Sequence, residues 1–168
     1  MNPSKMQMRI VSIYNHFMFL EVSQLRIAYA GRSQPAVRNV SFGMRSGDIG
    51  VLIGPSGCGK TTFLRCMAAL ESPTGGTLTV NGMSADQARL QRAYGYVFQA
   101  AGLYPWRTIA GNIKLPLEIM GFDRAEQDAR VERVLDLVEL KGFGKKFPWQ
   151  LSGGMQQRAS IARALAFD

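Results

Sequence analysis

At 168 residues with 46% hydrophobic content, the chain has enough apolar material for one domain with a sizeable core, so disorder is excluded as its default state. Its formal net charge of +8 suits polyanionic ligands, but Lys and Arg are scattered, which favours a solvated basic surface over nucleic-acid binding. Cys58 and Cys66 give neither a disulfide framework nor zinc-ligand spacing, and no apolar stretch approaches the ~20 residues of a bilayer span; a reducing, cytosolic setting fits, and secretion is not expected.

In chain order, residues 1–18 place Lys5 and Arg9 before an apolar segment interrupted by Asn15 and His16, with no small-residue cleavage site. They are read as a non-native or disordered extension without a structural role, and His16, the only histidine, is assigned none. Residues 19–29 alternate loosely as a strand and turn through Ala30, Gly31, Arg32 and Ser33; residues 37–42 form a second strand. Gly47-Asp48 marks a tight turn into residues 49–53, whose near-continuous apolar character predicts a strand buried on both faces. Phe63, Met67 and Leu70 recur at helical spacing, and Pro73-Thr74-Gly75-Gly76 ends that helix. Residues 77–80 alternate as a short strand closed by Asn81-Gly82, and the aromatic run at 94–98 predicts another strand that delivers Gln99 at its end.

From Ala100 the character becomes helical, punctuated by Pro105, Trp106, Pro116 and Gly121. Asp123 with Glu126 three residues on resembles a helix-opening cap, and Val131, Val134, Leu135 and Val138 form an apolar stripe. Residues 100–150 are read as a helical insertion. Ser152 is a candidate N-cap for an Ala-rich helix running to Asp168.

The residues Gly54-Pro55-Ser56-Gly57-Cys58-Gly59-Lys60-Thr61-Thr62 lie between the apolar strand and the first helix and read G-x-x-x-x-G-K-T. Successive backbone N–H groups at a helix N-terminus surround a polyphosphate without spending a side chain on each charge, and glycines let the backbone approach. On this basis Lys60 reaches the β and γ phosphates, the Thr61 hydroxyl ligates Mg2+, and Thr62 faces the α phosphate. The competing view is a glycine-rich turn that binds nothing. Cys58 is either a thiol activated by the helix N-terminus and open to nucleotide-sensitive alkylation, or an unreactive small side chain.

A second segment, Leu151-Ser152-Gly153-Gly154-Met155-Gln156-Gln157-Arg158, is on its own only a loop entering a helix. In order with Tyr29, the phosphate loop and Gln99, it makes the chain from about residue 20 onward resemble the ATP-binding cassette (ABC) ATPases, the nucleotide-binding subunits of ABC transporters. The resemblance implies an α/β P-loop NTPase fold with an antiparallel β subdomain, a partial parallel core sheet and a helical insertion. It implies a nucleotide-binding core over residues 19–99 and a helical subdomain over 100–150. Residues 151–168 would hold the signature motif and open a second half of the core.

It further implies ATP and Mg2+ as cofactors, with Tyr29 stacked on adenine, a contact worth ~1–3 kcal/mol by analogy with base stacking. Gln99 would sense Mg2+ and the γ phosphate at the junction with the helical insertion. Ser152, Gly153, Gly154, Met155 and Gln156 would close over ATP held by a partner, so the expected assembly is a homodimer or a pair with a second ABC ATPase. Tyr29 packed at a strand end and Gln99 as a surface residue are the plainer alternatives. Met155 stands where many members have glutamine, which weakens a side-chain role there but leaves the backbone anion site intact.

Gly102-Leu103-Tyr104-Pro105-Trp106-Arg107-Thr108, with Asn112 and Leu115-Pro116-Leu117, resembles the importer branch serving nitrate, sulfonate and taurine uptake; Trp106 anchoring its own core is weighed equally. The expected partners are integral membrane permease subunits and a periplasmic or extracellular solute-binding protein, with no nucleic acid, at the cytoplasmic face of the inner membrane. ATPases acting on DNA or ribosomes, an inert nucleotide-binding module and a small P-loop kinase are the alternatives, and the kinase leaves Ser152-Gly153-Gly154 unexplained.

The family's apolar strand ending Asp-Glu, which follows the signature helix, and its later switch histidine are not found. Residues 134–139 hold acids three apart on a helical pattern ahead of the signature and do not supply that strand. The sequence is therefore expected to stop shortly before it, leaving an incomplete core sheet with an open edge and poor solubility. Without carboxylates to orient water and hold Mg2+, nucleotide binding with negligible turnover is expected.

Overall fold

A computed structural model describes residues 7–11 and 18–167. In chain order the elements are β1 (Gln7–Val11), β2 (Met18–Ile27), β3 (Val37–Arg45), β4 (Ile49–Ile53), α1 (Lys60–Met67), β5 (Gly75–Val80), β6 (Met83–Ser84), α2 (Ala85–Leu90), α3 (Ile109–Met120), α4 (Arg124–Leu137) and α5 (Gly153–Leu165), with a 3-10 turn at Pro148–Gln150 before α5. The chain divides between Tyr94 and Gly95 into two compact units.

The first unit is built on a four-stranded sheet in the order β3-β2-β5-β6, antiparallel throughout. Along β2 the buried positions change phase, from Leu20 and Val22 to Leu25 and Ile27. A register shift between Val22 and Leu25 inserts the extra residue that returns the second pair to the core face, and Gln24 takes a positive φ of 48° there. The Gln24 amide, taken out of the ladder, donates to Ser41 Oγ at 2.7 Å. Phe63 and Cys66 of α1 and Ala88 of α2 share one core with the sheet's apolar face. Burying a side chain such as Phe63 contributes ~1.5–3 kcal/mol. Met67 lies at the edge of this core, and Leu70, expected to continue the helical stripe, lies beyond α1 and is exposed.

The strand leading into the phosphate loop differs from expectation. Ile49, Val51 and Ile53 are 66%, 48% and 54% exposed, because among the described residues β4 pairs only with β1 and no layer covers both its faces. That pairing is antiparallel, Gln7 opposite Ile53 through Val11 opposite Ile49. The reading of residues 1–18 as structureless therefore needs correction at Gln7–Val11, where the unsatisfied backbone edge of β4 recruits a strand; His16 lies outside the described residues. No parallel pair occurs among the described strands, and residues 94–98, expected as a strand, form none. A β-prone run becomes a strand only where a neighbour supplies ladder bonds. The pair β6 and α2, not anticipated, opens with a capping box: Ser84 Oγ accepts from the Gln87 amide and the Gln87 side chain accepts from the Ser84 amide.

In the second unit α3, α4 and α5 enclose one core of Ile109, Ile113, Leu117, Val131, Val134, Leu135 and Leu140, completed by Ala159 and Ala162 of α5 and by Ala166 just past its end. Asp123 caps α4 by accepting from the Glu126 amide at 2.9 Å, and the expected stripe from Val131 to Val138 is buried. Gly121, at φ 78°, ends α3 in the left-handed conformation that glycine adopts without cost. Pro116 sits inside α3 and does not end it. Helix α5 thus packs within the helical unit, its alanines allowing close approach of α3 and α4.

Candidate functional site

The predicted site residues fall into two groups, one in each unit. In the first, β4 delivers the chain to Gly54, and residues 54–59 form an exposed to half-buried loop before α1. Gly57 and Gly59 take φ of 77° and 97°, the left-handed region closed to most side chains. Gly59 is doubly required, because a Cβ there would lie 2.2 Å from the Ala36 carbonyl oxygen. A Cβ at Gly57 would meet nothing within 4 Å, so the space before the loop is open.

Ser84, Thr108, Asp123 and Ser152 cap α2, α3, α4 and α5 with side-chain oxygens, whereas no side chain caps α1. The first amides of α1 and its positive dipole end therefore face the loop with no side-chain acceptor, the arrangement that suits an anion. Lys60 Nζ folds over the same loop, donating to the carbonyls of Gly54 at 2.6 Å and Pro55 at 2.8 Å, with Cys58 Sγ at 3.6 Å. Thr61 is exposed and Thr62 half-buried. Tyr29 is exposed, and its hydroxyl donates to Thr62 Oγ1 at 3.4 Å, so the structure brings Tyr29 to the C-terminal side of the loop. Pro55 and Ser56 are exposed at its tip. Cys66, by contrast, is a core residue whose burial pushes its thiol above the ordinary value, the nearby Glu71 charge adding to the shift. Among the described residues no cluster of three His, Cys, Asp or Glu could hold a metal, so a divalent ion at this loop would take its oxygens from Thr61 and from a bound polyphosphate.

The second group comprises Gln99 and the signature segment. Gln99 is exposed. Ser152 caps α5, accepting from the Met155 amide at 3.3 Å, and Gly153 and Gly154 stand exposed with open space where a Cβ would go. The side chains of Met155 and Gln156 turn inward: Met155 packs on the helical core, and Gln156 Nε2 donates to the carbonyls of Pro148 at 2.9 Å and Leu151 at 3.1 Å. What this segment offers outward is a serine at a helix start and glycine backbone.

Trp106 does not anchor the insertion: it is 70% exposed, its ring 5.1 Å from that of Tyr104. Asn112 does the anchoring instead. Fully buried, it accepts from the Tyr104 amide at 2.6 Å and donates to the carbonyls of Tyr104, Arg107 and Thr108 at 3.0–3.1 Å. Two residues of α5 to which the sequence assigned no role also grip backbone near Gln99. Gln157 Nε2 donates to the Phe98 carbonyl at 3.2 Å, and Arg163 donates to those of Gly102 at 2.8 Å and Ala101 at 3.1 Å. No local pattern announces bonds across about sixty positions of sequence.

The family model for ABC transporters matches residues 37–168. The chain belongs to the ABC transporter family. The taurine import ATP-binding protein TauB of Pseudomonas putida is 39% identical over 149 residues, 89% of this chain and 56% of the relative. Its counterpart in Yersinia pestis is 42% identical over 149 residues, 89% of this chain and 57% of the relative. The sulfate/thiosulfate import ATP-binding protein CysA of Gloeobacter violaceus is 45% identical over 134 residues, 79% of this chain and 39% of the relative. The ABC-family chain therefore spans about half the length of the curated relatives it matches. Among solved structures, the dimeric post-hydrolysis ATP-binding cassette MJ0796 bound to ADP and Pi is similar, with a TM-score of 0.75 at 31% identity over 88% of this chain and 69% of that one. The P-loop NTPase fold is thus that of the ABC ATPases, and among the described residues no helix is long and apolar enough to cross a membrane.

Proposed function

We propose that the chain is the nucleotide-binding portion of the energy-coupling subunit of an ABC importer. The observation that carries this is the helix α1 left without a side-chain cap behind an open glycine loop, with the Lys60 ammonium folded over it. Residues 54–62 hold the phosphates of ATP, Lys60 and the α1 amides bearing most of the charge, the Thr61 hydroxyl ligates Mg2+, and Gln99 has the role of sensing Mg2+ and the γ phosphate. Tyr29, steadied through Thr62, offers its ring to adenine. In a homodimer, or a pair with a second ABC ATPase, Ser152, Gly153 and Gly154 present hydroxyl and backbone N–H groups to the γ phosphate held by the other copy; the inward-turned side chains of Met155 and Gln156 support that turn from behind.

Bound to permease subunits at the cytoplasmic face of the membrane, such an assembly drives uptake of a solute delivered by a binding protein. The taurine and sulfate/thiosulfate import roles of the relatives support small sulfonates or inorganic oxyanions as the solute class. After the signature helix starts at Gly153 these 168 residues hold no acid before Asp168, so they bind nucleotide and turn it over negligibly.

Titration of the purified chain with a fluorescent ATP analogue, alongside a steady-state ATPase assay, tests both parts. Saturable, Mg2+-dependent binding without turnover is expected. Absence of binding would contradict the nucleotide site, and turnover abolished by Lys60→Ala would contradict the binding-only reading.

A further inference from the structure

The backbone bearing Gln99 runs along the signature helix and is fastened to it on both sides of that residue. At Gly95 the approach is so close that a Cβ would lie 2.7 Å from the Ala164 carbonyl oxygen. On the N-terminal side of Gln99, the Phe98 carbonyl accepts from Gln157 Nε2 at 3.2 Å. On the C-terminal side, the two terminal nitrogens of Arg163 donate separately to Gly102 O at 2.8 Å and Ala101 O at 3.1 Å. Gly102 at φ 56° turns the chain where these two carbonyls meet one guanidinium. Burial pushes that guanidinium below its ordinary value, as expected of a charge spent on protein carbonyls in place of water. The next residues are fastened elsewhere, Tyr104, Arg107 and Thr108 to Asn112 of α3. The Gln99 side chain itself stays exposed between its two ties to α5.

We propose that Gln157 and Arg163 are positioning residues that join the Gln99 loop and the signature helix into one mechanical body, so that a displacement of Gln99 is transmitted to Ser152 at the start of the same helix. Ser152 stands five and eleven residues ahead of the two ties on α5. This rests on the reading above that Gln99 and Ser152 both serve nucleotide. A helix is stiff over that length, so backbone fixed to its side chains moves with its N-terminus. The two carbonyl contacts of Arg163 come from separate nitrogens of one planar fork, a spread that the single ammonium of a lysine on a shorter reach reproduces only in part.

Amide hydrogen exchange on the chain decides the matter, comparing wild type with Arg163→Met, Arg163→Lys and Gln157→Leu. Without nucleotide, amides of residues 98–104 should exchange about tenfold faster in Arg163→Met, as the loss of charge-assisted bonds predicts. The effect should be smaller in Gln157→Leu and intermediate in Arg163→Lys, while core amides of α3 and α4 stay unchanged. With Mg-ATP, protection of residues 98–104 should extend to the first turn of α5 in wild type but not in Arg163→Met. Unchanged exchange at 98–104 would overturn the proposal, as would a parallel loss of protection in α3 and α4, which would make Arg163 a packing residue. If calorimetry shows no Mg-ATP affinity in wild type, the proposed function fails, while the nucleotide-free comparison still decides the tether.

Discussion

The two units hold their glycine-bearing helix starts in place in opposite ways. In the helical unit the signature turn opens a helix whose own alanines are buried against α3 and α4, and its N-terminus is capped by Ser152. In the β unit the phosphate loop follows a strand whose Ile49, Val51 and Ile53 remain exposed, and it opens a helix that no side chain caps. Position in the first case comes from a closed core. In the second it comes from glycine geometry at 57 and 59 and from α1 pinned by Phe63 and Cys66 to the sheet. Stability and site geometry should therefore separate under mutation in the β unit and stay linked in the helical one.

The largest effect is expected from Ile113→Ala, which empties a fully buried position in the helical core; a loss of ~2–5 kcal/mol should appear in chemical denaturation followed by circular dichroism. Gly59→Ala should cost ~1–3 kcal/mol, since the new Cβ meets the Ala36 carbonyl in a left-handed conformation, and should weaken nucleotide binding beyond that loss. A Gly59→Ala protein of native stability and affinity would show that the loop does not depend on this glycine. Ser152→Ala removes the cap of α5 and should lower stability by ~1 kcal/mol, readable as a shifted denaturation midpoint with unchanged slope. Val51→Thr, on the exposed face of β4, should change stability by less than ~0.5 kcal/mol; a larger loss would mean that this face is covered in solution.

One pH effect follows from Cys66. Its thiol is raised in the folded chain, so the unfolded state deprotonates first; the stability it contributes is full below the unfolded thiol's value and is lost as pH rises through the higher folded one. Melting above pH ~9 should therefore fall less steeply in Cys66→Ala than in wild type.

Features encoded in contiguous residues were legible without coordinates. The alternation of β2, the caps at Asp123 and Ser152, the stripe from Val131 to Val138 and the glycine turn ahead of α1 all declare themselves within a few positions. The capping box at Ser84 and Gln87 was equally local and marks a helix that could have been anticipated. What escaped depends on partners remote in sequence. The aromatic run at 94–98 has strand propensity but no ladder, and Gln7–Val11 becomes a strand only because β4 offers an edge. The loop around Trp106 is held by Asn112 and not by the indole, and the ties from Gln157 and Arg163 join α5 to residues 59 to 62 positions away.

The central claim is that backbone amides at the start of α1 and the Lys60 ammonium form an anion site for ATP. Calorimetric titration of Mg-ATP into the wild-type chain and into Lys60→Ala tests it most directly. Saturable binding with one site per chain is predicted, weakened by about tenfold or more in Lys60→Ala, as loss of a charged hydrogen-bond donor requires. No detectable binding to the wild type, or equal affinity in the two proteins, would contradict it.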